Sequence, residues 1–263
     1  MNTTALRLGS FIGLFILFSA AETLFPRRDR LFSRRIRWPN NFFMVFLGAV
    51  SGRVIHVFIP VSAALAAGQR GFGLFNIVKL PEPLAFILTL LLLDLVIYWQ
   101  HRLFHRMQFL WRIHRMHHTE MDLDASSALR FHPLEFIISL IIKTGAVWIT
   151  GASALSVVVF EIVLNGAAMF NHANIFLPLK ADRIIRKFLV TPDMHRIHHS
   201  VYRKESDSNY GFSLSWWDYI FRSYTGSPRD GQLEMKIGQR GFEDRKNLLF
   251  PWMLAIPFFK PGA

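Results

Sequence analysis

The sequence predicts an all-α fold, an integral-membrane helical bundle of about four hydrophobic helices with a histidine-rich helical cap. Three observations predict it. Apolar residues come in blocks of membrane-span length, charged residues make up only 18% of the 263, and eight of the eleven histidines fall in three tight clusters near the ends of those blocks. Soluble domains carry about 25% charged residues and rarely gather their apolar residues into runs of about 20. A composition that is 52% hydrophobic, with 26 Phe and 7 Trp, excludes a disordered chain, a coiled coil and an ordinary soluble domain. The chain has no cysteine, which excludes disulfide scaffolds, thiolate zinc sites, iron–sulfur clusters and cysteine nucleophiles.

The elements follow in order. Residues 6–25 are apolar apart from Arg7, Glu22 and a few small polar side chains. The basic cluster follows this run instead of preceding it, so the run reads as an uncleaved span and not a signal peptide. A second stretch covers 42–67, interrupted by Arg53 and His56, and a third covers 84–100 with one charge, Asp94. Residues 134–170 are too long for a single crossing and break at Thr150-Gly151-Ala152-Ser153, which predicts a hairpin of two helices. Residues 101–133 and 171–263 form the cap of what reads as a single domain over 1–263. Leu248 to Phe259 suggests a closing amphipathic or membrane-surface segment. Trp216, Trp217 and Tyr219 read either as an interfacial anchor or as packing against the histidine-bearing helices.

Charge sets the orientation. Arg27, Arg28, Arg30, Arg34, Arg35 and Arg37 follow the first span and are expected on the cytoplasmic side. Alternation then returns both histidine-rich segments to that same side. The net charge of +12 is accounted for by basic loops facing anionic lipid, and no nucleic-acid partner is expected.

The histidines carry the chemistry. His101 and His105 form HRLFH; His114, His117 and His118 form HRMHH; His195, His198 and His199 form HRIHH. His132 in FHPLE and His172 in NHAN stand apart, and His56 lies outside the set, as a structural residue or a lining of a tunnel. Residues at i, i+3 and i+4 share a helix face, so each cluster can aim two or three imidazoles at one point. Neutral imidazole suits iron, zinc, copper and nickel, and ten histidines exceed the about four to six ligands of one ion, so two nearby ions fit the count. Metal-bound histidine usually gives its other N–H to a carboxylate or carbonyl. Asp94 shares a helical face with Tyr98, His101 and His105, and Glu161 with Asn165 and His172. Asp94, Glu161, Asn165, Asn171 and Asp193 are the candidate supports. The alternative for Asp94 and Glu161 is pairing with Arg53 or Lys143 inside the bundle.

HRLFH, HRMHH and HRIHH at these separations, with FHPLE, NHAN and the run DMHRIHHSVYRKESDSNYGFSLSWWDYIF, resemble the fatty acid hydroxylase/sterol desaturase superfamily over roughly Leu84 to Tyr224. The resemblance implies a bacterial inner-membrane protein whose cytoplasmic cap holds two iron ions, replaceable by zinc in recombinant protein. It implies that His101, His105, His114, His117, His118, His172, His195, His198 and His199 are ligands. His132 is either a tenth ligand or a residue supporting one, with Pro133 and Glu135 shaping the loop. The implied activity uses O₂ and two electrons to hydroxylate or desaturate an unactivated C–H bond of a fatty acyl or sterol-like lipid. Ether-lipid or carotenoid-ring oxidation on the same site is the alternative within enzymes, and a non-catalytic membrane metal-binding protein is the alternative outside them. Electrons would come from a separate ferredoxin- or reductase-type donor, docked by Arg183, Arg186, Lys187, Arg203 and Lys204 unless these side chains contact lipid headgroups.

Overall fold

The computed structural model describes residues 3–54 and 59–260. Four helices are long and apolar enough to cross a membrane: α1 (Thr3–Leu24), α5 (Glu82–Arg106), α7 (Pro133–Thr150) and α8 (Ala154–His172). Between α1 and α5 lie α2 (Arg34–Val54), α3 (Pro60–Gln69) and the short α4 (Leu74–Val78). Among the described residues extended pairing is limited to isolated bridges, such as Pro26 with Ile175.

The second apolar stretch therefore differs from the single run expected over 42–67. Helix α2 ends at Val54 and α3 begins at Pro60. Ile59 is extended at φ −92°, ψ 117° ahead of Pro60, as a proline ring demands of its predecessor and of the N–H it removes. His56 lies outside the described residues. The third span also runs past its expected end at residue 100, so His101 and His105 sit on the last turns of the spanning helix itself.

Helices α1, α3 and α5 pack on α8, and α2, α3 and α5 pack on α7. The core they share is apolar, with Leu93, Ile97, Val147, Val157 and Phe160 buried. The outward faces are apolar too: Ile12, Ile16, Ile87, Ile141, Ile149 and Val163 are all exposed. Exposed patches of this extent on a bundle surface are what a hydrocarbon environment requires and water penalises.

The hairpin turn falls where the sequence placed it. Gly151 closes α7 at φ +68° and meets Gly73 at φ +96°, whose added Cβ would lie 2.3 Å from the Gly151 nitrogen. Two left-handed glycines thus lock the α3–α4 corner onto the α7–α8 turn, at the end of the bundle away from the histidines.

The other end is a dense polar layer. The chain bends at Met107 (φ −91°, ψ 119°), so α6 (Gln108–His118) leaves the line of α5. The loop 119–131 is knitted by buried charge. Arg37 donates to Glu120 at 3.1 Å, to Asp124 at 2.6 Å and to the Asp122 carbonyl. Glu22 at the end of α1 accepts from the Ala125 and Asn174 backbones at 3.0 and 3.1 Å and from Arg34 at 2.6 Å. The arginine cluster read as an orientation signal thus also folds inward to tie the α1–α2 corner to this layer. The C-terminal helix (Phe250–Ala255) buries Met253 and, just beyond it, Ile256 against Met44 and Met116, leaving Trp252 and Phe258 outward.

Candidate metal centre

Nine histidines converge into two buried groups in the polar layer. His101, His105, His114, His118 and His198 each offer a nitrogen within 4.8 Å of the others, and His117, His172, His195 and His199 do the same. The expectation that each cluster aims at one point is corrected here: both HxxHH boxes are shared between the two groups. The reason is helical pitch. At about 100° per residue, the first and last histidines of HxxHH lie about 40° apart, while the middle one points about 60° to the other side. On α6, His114 and His118 go to the five-histidine group and His117 to the four-histidine group. On α10 (Pro192–His198), which follows the short α9 (Leu179–Ile185), His195 and the following His199 go to the second group and His198 to the first. The two boxes face each other with their roles exchanged.

The outer ring nitrogens are held in place. Nδ1 of His101 donates to the Tyr210 carbonyl at 2.9 Å, that of His117 to Arg130 at 3.2 Å, and that of His198 to Ser208 at 2.7 Å. His172 Nδ1 lies 2.8 Å from the Ala168 carbonyl and 2.6 Å from Asn171 Oδ1. His114 Nδ1 bonds the Glu135 carboxylate at 2.7 Å, and His105 Nδ1 lies 3.4 Å from Asp207. The hydrogen bonds at His101, His114, His117, His172 and His198 place the proton on Nδ1 and leave a lone pair on Nε2, while Nδ1 of His105, His195 and His199 is buried without a hydrogen-bond partner.

Those lone pairs face one another. His117 Nε2 is 3.0 Å from His172 Nε2, although both rings donate through Nδ1. The Nε2 atoms of His101, His114 and His198 are buried without a hydrogen-bond partner. Converging lone pairs in a dry layer are unfavourable unless a cation sits among them, so the residues fit a pair of imidazole-bound metal ions. Burial favours the neutral form of five of these rings. It pushes His117, His118, His195 and His199 well below the usual histidine range and His198 down to about 3. Neutral imidazole is the ligating form.

His132, expected either as a tenth ligand or as a supporting residue, lies outside both groups and caps α7. Its Nδ1 accepts from the Leu134 N–H at 3.2 Å at the start of α7, and its Nε2 donates to the Leu254 carbonyl at 3.3 Å. The member of FHPLE that reaches a converging ring is Glu135, which was expected only to shape the loop. Pro133 at the first helical position was the available signal, because it puts Glu135 in the first turn, facing the layer. Replacing Glu135 with Ala frees the His114 ring and is expected to weaken metal binding about 10–100-fold, measured by competition with a chelator; Gln, which keeps an acceptor oxygen, should lose less.

Of the other proposed supports, only Asn171 touches a ligand ring. Asp94 instead accepts from Leu214 N at 3.1 Å and from Trp217 Nε1 at 2.8 Å, and this also sets Trp217 against α5. Glu161 pairs with Arg7 on α1, and Asp193 with Arg27 and Arg196. Asn165 lines a cavity. In each case a nearby N–H or guanidinium claims the carboxylate before any imidazole can. That the rings lean mostly on backbone carbonyls left no residue type for the sequence to display.

Two openings flank the layer. An internal cavity of about 150 Å³ reaches from His101, His114 and Glu135 into the bundle, past Phe136, Lys143 and Asn165. A basic groove lies on another side, lined by Arg203, Lys204, Arg229 and Arg240, with Trp111 in its wall. The Trp111 ring is 4.8 Å from that of His105 and 5.2 Å from that of His118.

Comparison with known proteins agrees with this geometry. Among curated proteins the chain is 27% identical over 182 residues to an ornithine lipid hydroxylase of Rhizobium tropici, covering 68% of this chain and 53% of that protein. It is 29% identical over 156 residues to the human alkylglycerol monooxygenase, covering 59% and 34%. It is also 29% identical over 164 residues to a C-4 methylsterol oxidase of Schizosaccharomyces pombe, covering 58% and 52%. The chain thus spans about half the length of the first and third of these relatives and about a third of the second. No solved structure matches it. The model of the family described as fatty acid hydroxylase matches residues 86–223, more than half of the 263 and a stretch that holds all nine converging histidines, so the chain belongs to the fatty acid hydroxylase family.

Proposed function

We propose that this protein is an integral-membrane di-iron oxidoreductase that uses O₂ and two electrons to hydroxylate or desaturate an unactivated C–H bond of a lipid. The observation that carries the reading is the pair of all-imidazole pockets at the mouth of a cavity that runs into an apolar bundle. His101, His105, His114, His118 and His198 would hold one ion, and His117, His172, His195 and His199 the other. When bound, an iron pair supplies O₂ activation and removal of hydrogen from carbon. The chain supplies position and dryness. Phe104, Phe131 and Phe136 line the cavity beside His101 and His114, where they align a substrate carbon and exclude water. Glu135 and the Tyr210, Arg130 and Ser208 carbonyls fix the ring tautomers.

A lipid substrate is supported by a route from the bilayer. An outward apolar groove between α5 and α7, lined by Val96, Trp99, Leu103, Ile142 and Ala146, shares Gln100 with the internal cavity. The relatives named for an ornithine lipid, an alkylglycerol and a methylsterol point the same way, and the second of them supports ether-lipid oxidation as the alternative. A metal-transport reading would need ligands strung along a path through the bundle, whereas these nine cluster at one end of it. We place the metal layer on the cytoplasmic side of a bacterial inner membrane, beside the arginine cluster. A separate ferredoxin- or reductase-type donor would deliver electrons at the basic groove, where Trp111 contacts two ligand rings.

The test is lipidomics on cells expressing the active protein or His117→Ala. A gain of one oxygen in a lipid class marks hydroxylation, a loss of two hydrogens marks desaturation, and ether cleavage marks the alternative. Identical lipid profiles from the two strains, with both proteins present in the membrane, would overturn the proposal.

A further inference from the structure

We propose that the internal cavity anchors its lipid through an anionic head group at Lys143, so that the apolar chain extends from there toward His101 and His114. The inference rests on reading the cavity as the substrate site. It deepens that reading by naming the chemistry the substrate must carry.

Within the spanning helices three charged side chains neighbour one another beside the cavity: Arg7 on α1, Lys143 on α7 and Glu161 on α8. Arg7 and Glu161 form an ion pair. Lys143 lines the cavity wall, and among the described residues it forms neither a hydrogen bond nor an ion pair within 4 Å. Its electrostatic neighbours are Glu161 and Arg7, so the trio carries a net charge of +1. An uncompensated cation inside a membrane bundle is costly, and such residues as a rule face a partner or a ligand. Nothing on the cavity wall near Lys143 supplies the missing negative charge. Among the described lining residues the one carboxylate, Glu135, is bonded to His114 at 2.7 Å.

The wall specifies the rest of the ligand. Phe11, Val45, Phe136 and Leu164 make it mainly apolar, and Ser139 and Asn165 add two neutral hydrogen-bonding groups. Glu135, Ser139 and Lys143 stand at i, i+4 and i+8 of α7 and therefore share one face. Eight residues of helix separate the cation from the metal layer by about 12 Å. The occupant that meets these conditions is an amphiphile with one anionic group and an aliphatic chain, of which a long-chain carboxylate is the simplest.

Fluorescence titration of the purified, detergent-solubilised full chain with cis-parinaric acid and with its methyl ester, in the absence of O₂ and reductant, tests this without recourse to turnover. The wild type is expected to bind the acid more tightly than the ester. Lys143→Met should lose that preference while keeping its affinity for the ester, and Lys143→Arg, which keeps the charge, should keep the preference. Retained ester binding shows that the methionine variant is folded; if it binds neither probe, the arginine variant decides, because loss of preference there overturns the proposal. Equal binding of acid and ester by the wild type, or an unchanged preference in Lys143→Met, also overturns it. In those cases lipid oxidation by the iron-loaded protein would still stand, so the failure of the anchor is distinguishable from failure of the enzyme reading.

Discussion

His117→Ala is expected to lose one of about two metal ions per chain and all oxidation of lipid, while the protein still inserts and folds. His117 belongs to the four-histidine group, and alanine there leaves three imidazoles. A tetrahedral imidazole site has no ligand to spare. His105→Ala, by contrast, leaves four of five ligands in the other group and should hold its metal more weakly without losing it outright. His198→Ala removes a ring from that same group and should also abolish oxidation, because the ring is fixed by Ser208 and faces His101, 4.5 Å away between centroids. Elemental analysis of the purified variants, paired with product assays, checks the order. Full metal content and full activity in His117→Ala would remove the two-pocket assignment.

Arg37→Met should be among the most destabilising single substitutions, costing about 3–5 kcal/mol, because it strips the cation from carboxylates that stay buried. Arg37, Glu120 and Asp124 are fully buried, and Arg37 also binds the Asp122 carbonyl and Ser127 Oγ. Arg130 Nη1, 3.8 Å from Glu120, is too distant to take over. The same loop carries the Arg130 carbonyl that bonds His117 and the Phe131 ring stacked 4.8 Å from it. Loss of Arg37 is therefore expected to lower the thermal midpoint and loosen the second pocket together. A midpoint equal to wild type would show that the acidic loop holds itself.

Much of this was legible in the residues. The break at Gly151 coincides with a turn-forming tetrapeptide in an overlong apolar run, and eight of the nine converging histidines lie at helical spacing in the three boxes, with His172 apart in NHAN. The division of each HxxHH between two pockets was not read, although the pitch of the helix contains it, because a one-helix argument asks which rings share a face and not which partners wait on either side. The place of His132 outside the two groups was not legible, because a histidine beside proline serves equally well as a cap. The interruption after α2 escaped because hydropathy averages over a proline. The inward turn of Arg37 and Arg34 escaped because a basic cluster beside an apolar run reads the same whether it faces lipid headgroups or buried carboxylates; only the long-range pairing with Glu120, Asp124 and Glu22 decides.

The exchange of histidines between the boxes of α6 and α10 carries a consequence for biosynthesis. Neither pocket can be completed by the earlier part of the chain: one lacks His198, and the other lacks His195 and His199, until synthesis has passed residue 199. All four long apolar helices precede that point. Completion of both pockets therefore comes late, after the bundle has been threaded, and a nascent chain stalled ahead of α10 holds four of the five rings of one pocket and two of the four of the other.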